Sequence, residues 1–155
     1  KFNSSSNLGK SSNLQLVVQL NSNKYIYGDE YDLRHSIINI MLNGIDAMEN
    51  GGIMTVKTYD EDEKIVLEIS DTGVGIDEEL IDKIFKPYFT TKGSKGTGLG
   101  LSIAKRVFEE HNGVIKVESK KGEGTKFTIT FPSAMPIGKY GHEEDKESNL
   151  MHETV

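Results

Sequence analysis

Cysteine is absent from the 155 residues. That excludes a disulfide framework and a thiolate metal site, and it is compatible with a reducing compartment. Also missing is any apolar run approaching the ~20 residues that cross a bilayer as a helix, so the chain reads as soluble. Positive charge is in the minority: 18 Lys and Arg against 24 Asp and Glu leave a net charge of -6, with no basic block. This balance argues against nucleic acid as the main partner. Residues 133–155 hold two lysines against five acids, so half of the net charge lies there. A hydrophobic content of 35% over this length gives one domain with a single core and polar ends.

Glycine, by contrast, is concentrated. Asp71-Thr72-Gly73-Val74-Gly75-Ile76 is followed some twenty residues on by Gly96-Thr97-Gly98-Leu99-Gly100-Leu101. Either cluster alone is also what an ordinary turn looks like. The first, however, follows the apolar run Ile65-Val66-Leu67-Glu68-Ile69, which reads as a strand and leaves Asp71 at its end. A carboxylate there can accept a hydrogen bond from an exocyclic amine, while Gly73 and Gly75 let the backbone approach a flat ring, a geometry suited to adenine. The second cluster runs into a helix with apolar residues at Leu99, Ile103, Val107 and Phe108. Glycines that open a helix leave its first amides free for anionic oxygens, and phosphates fit there.

A third piece lies upstream. From Glu30 to Met48, residues Leu33, Ile37, Met41, Ile45 and Met48 form an apolar helical stripe, with Asn39, Asn43 and Asp46 together on the opposite face. A solvated polar face is one reading of that trio. Two asparagines one turn apart beside Gly44, however, cost roughly 1 kcal/mol of helix stability, a cost that a function explains. Amide oxygens are suitable ligands for a magnesium ion that shares a nucleotide's phosphates.

With these pieces in order the chain resembles the catalytic, ATP-binding domain of a sensor histidine kinase, a member of the Bergerat-fold superfamily that also holds gyrase and MutL. The asparagine box matches residues 39–48 and the first glycine box matches Asp71 to Ile76. Phe85-Lys86-Pro87-Tyr88-Phe89-Thr90-Thr91-Lys92 matches the phenylalanine box, Gly96 to Leu101 the second glycine box, and Gly122-Glu123-Gly124-Thr125 the element before the last strand. The resemblance covers about Leu14 to Pro132. Its short lid and the Asp46-Ala47-Met48 ending look most like the sporulation-type or nitrogen-regulation-type kinases.

The resemblance implies roles residue by residue. Asn43 coordinates Mg2+ and acts with Lys92 in catalysis; Asn39 and Asp46 line the phosphate side; Asp71 holds the adenine amine, with Gly73, Gly75 and Ile76 beside it and Thr125 helping through a water. Lys92, Gly96, Thr97, Gly98, Leu99, Gly100 and Leu101 bind phosphates or form their surround, under a lid between Phe89 and Gly96 that Phe85 and Phe89 anchor. Core packing is the alternative for the two phenylalanines, and a solvated loop for Lys92 and Lys95. Three positions depart from the family pattern: His35 for glutamine, Gly44 for alanine and Lys86 for an acid. His35 reads as exposed, without a special role.

In the ATP-hydrolysing relatives a glutamate stands where this chain has Asn39. A neutral amide takes up no proton at working pH, so the site is expected to bind ATP and hydrolyse it poorly. Transfer to a histidine supplied from outside needs no such base, because phosphoryl transfer relies on positioning and charge. None of His35, His111, His142 and His152 has the surroundings of the family's phosphoacceptor, and His111, before Asn112-Gly113, reads as a helix C-cap. The chain is therefore expected to be the ATP-binding half of a longer kinase, acting with a dimerisation and phosphoacceptor domain and, downstream, a response regulator. The domain is expected in the cytoplasm, and a membrane anchor in the parent stays open. An ATPase switch, against which Asn39 argues, and a non-catalytic adenine-nucleotide module are the alternatives.

The expected class is α+β: an α/β sandwich with helices on one face of a mixed sheet and an ATP lid. Residues 1–13 read as a flexible lead-in, 14–132 as the domain and 133–155 as an acidic, disordered tail. Strands are expected at Leu14 to Leu20, Lys24 to Tyr27, Ile53 to Tyr59, Lys64 to Ile69, Val114 to Ser119 and Thr125 to Phe131. A short helix capped by Asp77 is expected to bury Leu80, Ile81 and Ile84.

Overall fold

The computed structural model describes residues 13–93 and 96–134. The expected tail beyond Ala134, the lead-in before Asn13, and Lys95 lie outside the described residues. Five strands form one sheet in the order β1-β2-β3-β5-β4, where β1 is Leu14–Leu20, β2 Gly52–Glu61, β3 Lys64–Asp71, β4 Val114–Lys120 and β5 Gly124–Pro132. β1 runs parallel to β2 and every other pair is antiparallel, so the sheet is mixed as expected. Two helices, α1 (Glu30–Ala47) and α2 (Gly100–Glu110), pack on one face and against each other.

The sheet is two-sided because its strands alternate. Along β5, Phe127, Ile129 and Phe131 are buried under the helices while Lys126, Thr128 and Thr130 point to the other face. From α1 the deepest residue is Ile40, and from α2 they are Ala104 and Phe108; Phe108 meets Phe131 edge to face at 5.7 Å. β1 and β4 are the edge strands, and all seven residues of β1 are exposed.

Four local expectations are corrected. Of the expected α1 stripe, Leu33, Ile37 and Met41 pack partly buried against the core and Met48 is buried, but the buried face is turned to include Ser36, Ile40 and Gly44 and leaves Ile45 exposed, because α1 must serve the sheet and α2 together. Asn39, Asn43 and Asp46 line a cavity, Asn39 beside Gly100 of α2 and the other two against Lys92, and do not form a simple solvated face. On α2, Ile103 is exposed and Ala104 takes the buried place. Among the described residues Lys24 to Tyr27 is reduced to one bridge, Tyr25 to Ala134, and its two tyrosines stay in solvent. The segment after Asp77 is one 3-10 turn, Glu78–Leu80, continued by further turns up to Phe89. So short a stretch gains too few bonds to offset helix nucleation. The Asp77 side chain makes no cap; it pairs with Lys121 at 2.8 Å. Of the three apolar residues expected to be buried there, Ile84 is buried and Leu80 and Ile81 partly so.

Candidate nucleotide site

A cavity of about 450 Å³ opens between α1, the ends of β3 and β5, and the start of α2. Its floor at one end is Asp71, the last residue of β3, paired in register with Thr125 at the start of β5. Asp71 is half-buried, and its Oδ1 accepts the Gly73 amide at 2.8 Å. Burial pushes the Asp71 carboxyl above its ordinary pKa, while the amides of Gly73 and Thr125 pull it partly back. This carboxylate is partly screened from water and, among the described residues, takes no side-chain donor, which leaves it able to accept one from a ligand.

The first glycine cluster is clamped from two sides. Val74 N–H donates to Ala47 O at the end of α1, and Gly122 N–H donates to Val74 O from the β4–β5 turn. Gly75 holds a left-handed φ of 69° with the Lys120 carbonyl against its Cα, a place no side chain fits. Ser119 of β4 completes the clamp. Its Oγ accepts the Ile76 amide at 2.8 Å, donates to Gly124 O at 2.9 Å and lies 2.8 Å from the buried Thr125 Oγ1. Sequence reasoning missed Ser119. Nothing in an alternating strand sets this serine apart, and only the pairing of Ser119 with Thr125 brings it to the site.

At the other end stands the first turn of α2. Leu99 is its N-cap residue and provides no side-chain cap, and the first helical amides, which have no intrahelical partners in any helix, belong to a turn whose Gly100 and Leu101 line the cavity near Asn39. Gly98, at a left-handed φ of 67°, turns its carbonyl to accept the Tyr88 amide at 2.9 Å, which ties this turn to the phenylalanine-rich segment. Lys92 projects from that segment onto α1: its Nζ lies 2.6 Å from Asp46 Oδ2 and 3.0 Å from Asn43 Oδ1. The Asn43 carbonyl is thus already turned toward a cation. This donor set suits a hard cation that takes oxygen ligands.

The cavity brings together Asn39, Asn43, Asp46, Asp71, Gly75, Ile76, Lys92, Gly96, Thr97, Gly98, Gly100, Leu101 and Thr125 from the expected set. Gly73, Phe85 and Leu99 are not on its wall. Gly73 packs on Ala47, and Phe85 stacks edge to face on Phe127 under the Lys105 ammonium. Apolar walls that the motifs did not signal come from Ala47, Ile84 and Phe127. His35 is exposed and lies against Tyr31, away from the cavity. His111 is a tether: Nδ1 donates to Val107 O at 2.7 Å and Nε2 accepts the Asp29 amide at 2.9 Å.

Among solved structures, the mycobacterial sensor histidine kinase MprB superposes with a TM-score of 0.70 at 27% identity, covering 77% of this chain and 82% of that one. The catalytic domain of histidine kinase ThkA, in a nucleotide-free form, gives 0.67 at 30% identity over 77% and 78%. Among curated proteins, sporulation kinase C of Bacillus subtilis is 43% identical over 107 residues, 69% of this chain and 25% of that protein. Sensor histidine kinase ZraS of Escherichia coli K12 is 37% identical over 69% of this chain and 23% of that protein. The chain spans a quarter or less of the length of these curated relatives. Residues 28–135 match the family model for histidine kinase-, DNA gyrase B- and HSP90-like ATPases. With the cavity, the sheet order and these matches in agreement, the chain belongs to that family and is a catalytic domain of the histidine kinase kind.

Proposed function

We propose that the cavity binds ATP with magnesium and passes the γ-phosphoryl group to a histidine on a separate dimerisation and phosphoacceptor domain, from which a response regulator is served. The observation that carries this reading is the polarity of the cavity. One end, Asp71 with Thr125, offers acceptors in a half-dry setting; the other, the α2 amides with Lys92, offers donors and positive charge. A molecule with an exocyclic amine at one end and a chain of phosphates at the other fits that order.

Asp71 accepts from the adenine amine, the glycine loop lies along the ring, and the ring packs between Ala47, Ile76 and Phe127. The α2 amides and Lys92 hold the phosphates. Asn43 would hold the magnesium ion, which supplies charge neutralisation to the phosphate oxygens. The chain's own part in transfer is to orient: the imidazole nitrogen of the incoming histidine bonds to the γ-phosphorus, the bond to the β–γ bridging oxygen breaks, ADP leaves, and the imidazole proton passes to solvent. Asn39, beside Gly100, has no basic atom to deprotonate a water, which protects ATP from hydrolysis while the acceptor is awaited.

The test is to follow the label of γ-labelled ATP with magnesium and this chain, with and without a histidine-bearing domain from a sensor kinase. Intact ATP with the chain alone, and labelled histidine once the second domain is added, is the expected result. Steady phosphate release by the chain alone, lost in Asn43→Ala, would replace the kinase reading with an ATPase switch.

A further inference from the structure

Of the two carboxylates that line the cavity among the described residues, Asp71 stands at the far end, and Asp46 is the one placed to oppose an anionic ligand. It sits one helical turn from Asn43 on the flank where the phosphates would lie, and a carboxylate there repels them. Its partner is Lys92, whose ammonium is bound at 2.6 Å by Asp46 Oδ2 and at 3.0 Å by Asn43 Oδ1. The ammonium therefore lies on the very oxygen that is the candidate metal ligand. Asn43 Oδ1 is best satisfied by one cation at a time: a divalent ion beside an ammonium is repulsive, and newly arrived phosphates attract the lysine.

We propose that Asp46 is a positioning residue for Lys92, drawing its ammonium onto the metal side of the cavity and keeping it on Asn43 until a nucleotide arrives, so that entry of the nucleotide with its metal exchanges one cation for another. This rests on the nucleotide reading of the cavity and deepens it. Lys92 then has two stations, Asp46 before binding and the phosphates after, and Asp46 has no direct contact with the nucleotide. The pair is partly exposed, with 38% of the Lys92 and 55% of the Asp46 side-chain surface open to solvent, so its hold is weak enough for a ligand to displace.

Hydrogen exchange at the amides of residues 90–93 in nucleotide-free protein reads the first station. Asp46→Asn, which keeps the shape and removes the charge, should speed exchange about 2- to 5-fold, the range of an exposed ion pair. Lys92→Met should do the same, the double variant should add nothing further, and raised salt should bring the parent protein to the variants' rate. Calorimetry with magnesium and ATP reads the second station: Asp46→Asn should bind a few-fold more tightly than the parent, and Lys92→Met more weakly. Unchanged exchange in Asp46→Asn, or additive effects in the double variant, overturns the positioning role. Weaker nucleotide binding by Asp46→Asn overturns the two-station exchange and makes Asp46 a direct ligand. If none of the proteins binds nucleotide, the functional reading fails, while the exchange data still decide the Lys92–Asp46 contact.

Discussion

The carboxyl of Asp71 is asked to be ionised in a place that resists ionisation. Its folded pKa is raised, chiefly by burial. Between the ordinary aspartate value and the raised one, the folded state holds more proton than the unfolded chain. The group's contribution to stability is therefore greatest on the acid side and declines as pH rises through that interval. Binding runs the other way, because only the ionised form is a pure acceptor for an amine. Nucleotide affinity should accordingly start to fall, on acidification, at a higher pH than an ordinary aspartate would give. Asp71→Asn should weaken ADP binding at neutral pH by about 1–3 kcal/mol and remove that part of the acid dependence. Calorimetry of both proteins across the acid range checks this, and equal affinities at neutral pH would sink the adenine assignment. Asp71 was legible from sequence, since a carboxylate closing an apolar strand before two glycines is a local pattern. Ser119 was not, because its role depends on pairing across β4 and β5.

Helices α1 and α2 meet at two places with different chemistry. Near the cavity they are joined through Asn39 and Gly100; at the far end a single imidazole links the N-cap of α1 to the last turn of α2. The ring lies so close to Gly28 that any side chain there would strike it. His111→Ala removes both bonds and leaves the Asp29 amide and the Val107 carbonyl without these partners. It should cost about 1–3 kcal/mol in denaturant unfolding, with a smaller loss in nucleotide affinity. An unchanged unfolding midpoint would reduce His111 to surface filling. The sequence suggested a C-cap at His111, and the ring does bond the α2 carbonyl of Val107; its second bond, to an amide 82 residues away, is beyond any local signal. The hairpin of β2 and β3 was legible because each strand's apolar pattern is local. The rotation of α1, which buries Ile40 and exposes Ile45, was not, since a helix packed on two surfaces follows the geometry of both rather than the best single stripe in its sequence.

One core joins both helices to the central strands, so the described domain should unfold as a unit. A ligand that binds only the folded form then stabilises all of it. Magnesium and ATP at a hundred times the dissociation constant should add about 2.7 kcal/mol, read as a rise in the heat-unfolding midpoint with ATP concentration. Asn43→Ala should keep an ATP-dependent rise but lose its dependence on magnesium; a magnesium effect of undiminished size would exclude Asn43 as the metal ligand. At this scale the family resemblance carried the expectation of helices on one face of a mixed sheet. The order of the strands had no signal of its own: β5 slips between β3 and β4, and that placement sets Thr125 opposite Asp71.

The loop and turn around Asp71 are built on glycines where nothing larger than hydrogen fits, and one of them, Gly75, lines the cavity. A methyl on Gly73 would come within 2.6 Å of the Ala47 carbonyl oxygen, and one on Gly75 or Gly124 would strike the carbonyls of Lys120 or Asp71. On the adenine reading proposed above, an inhibitor that copies the base would rest partly on the Gly75 backbone, which no single substitution reshapes without breaking the loop, and partly on the side chains of Ala47, Ile76 and Phe127. Escape from such a compound would have to arise at those side chains and not at the glycine.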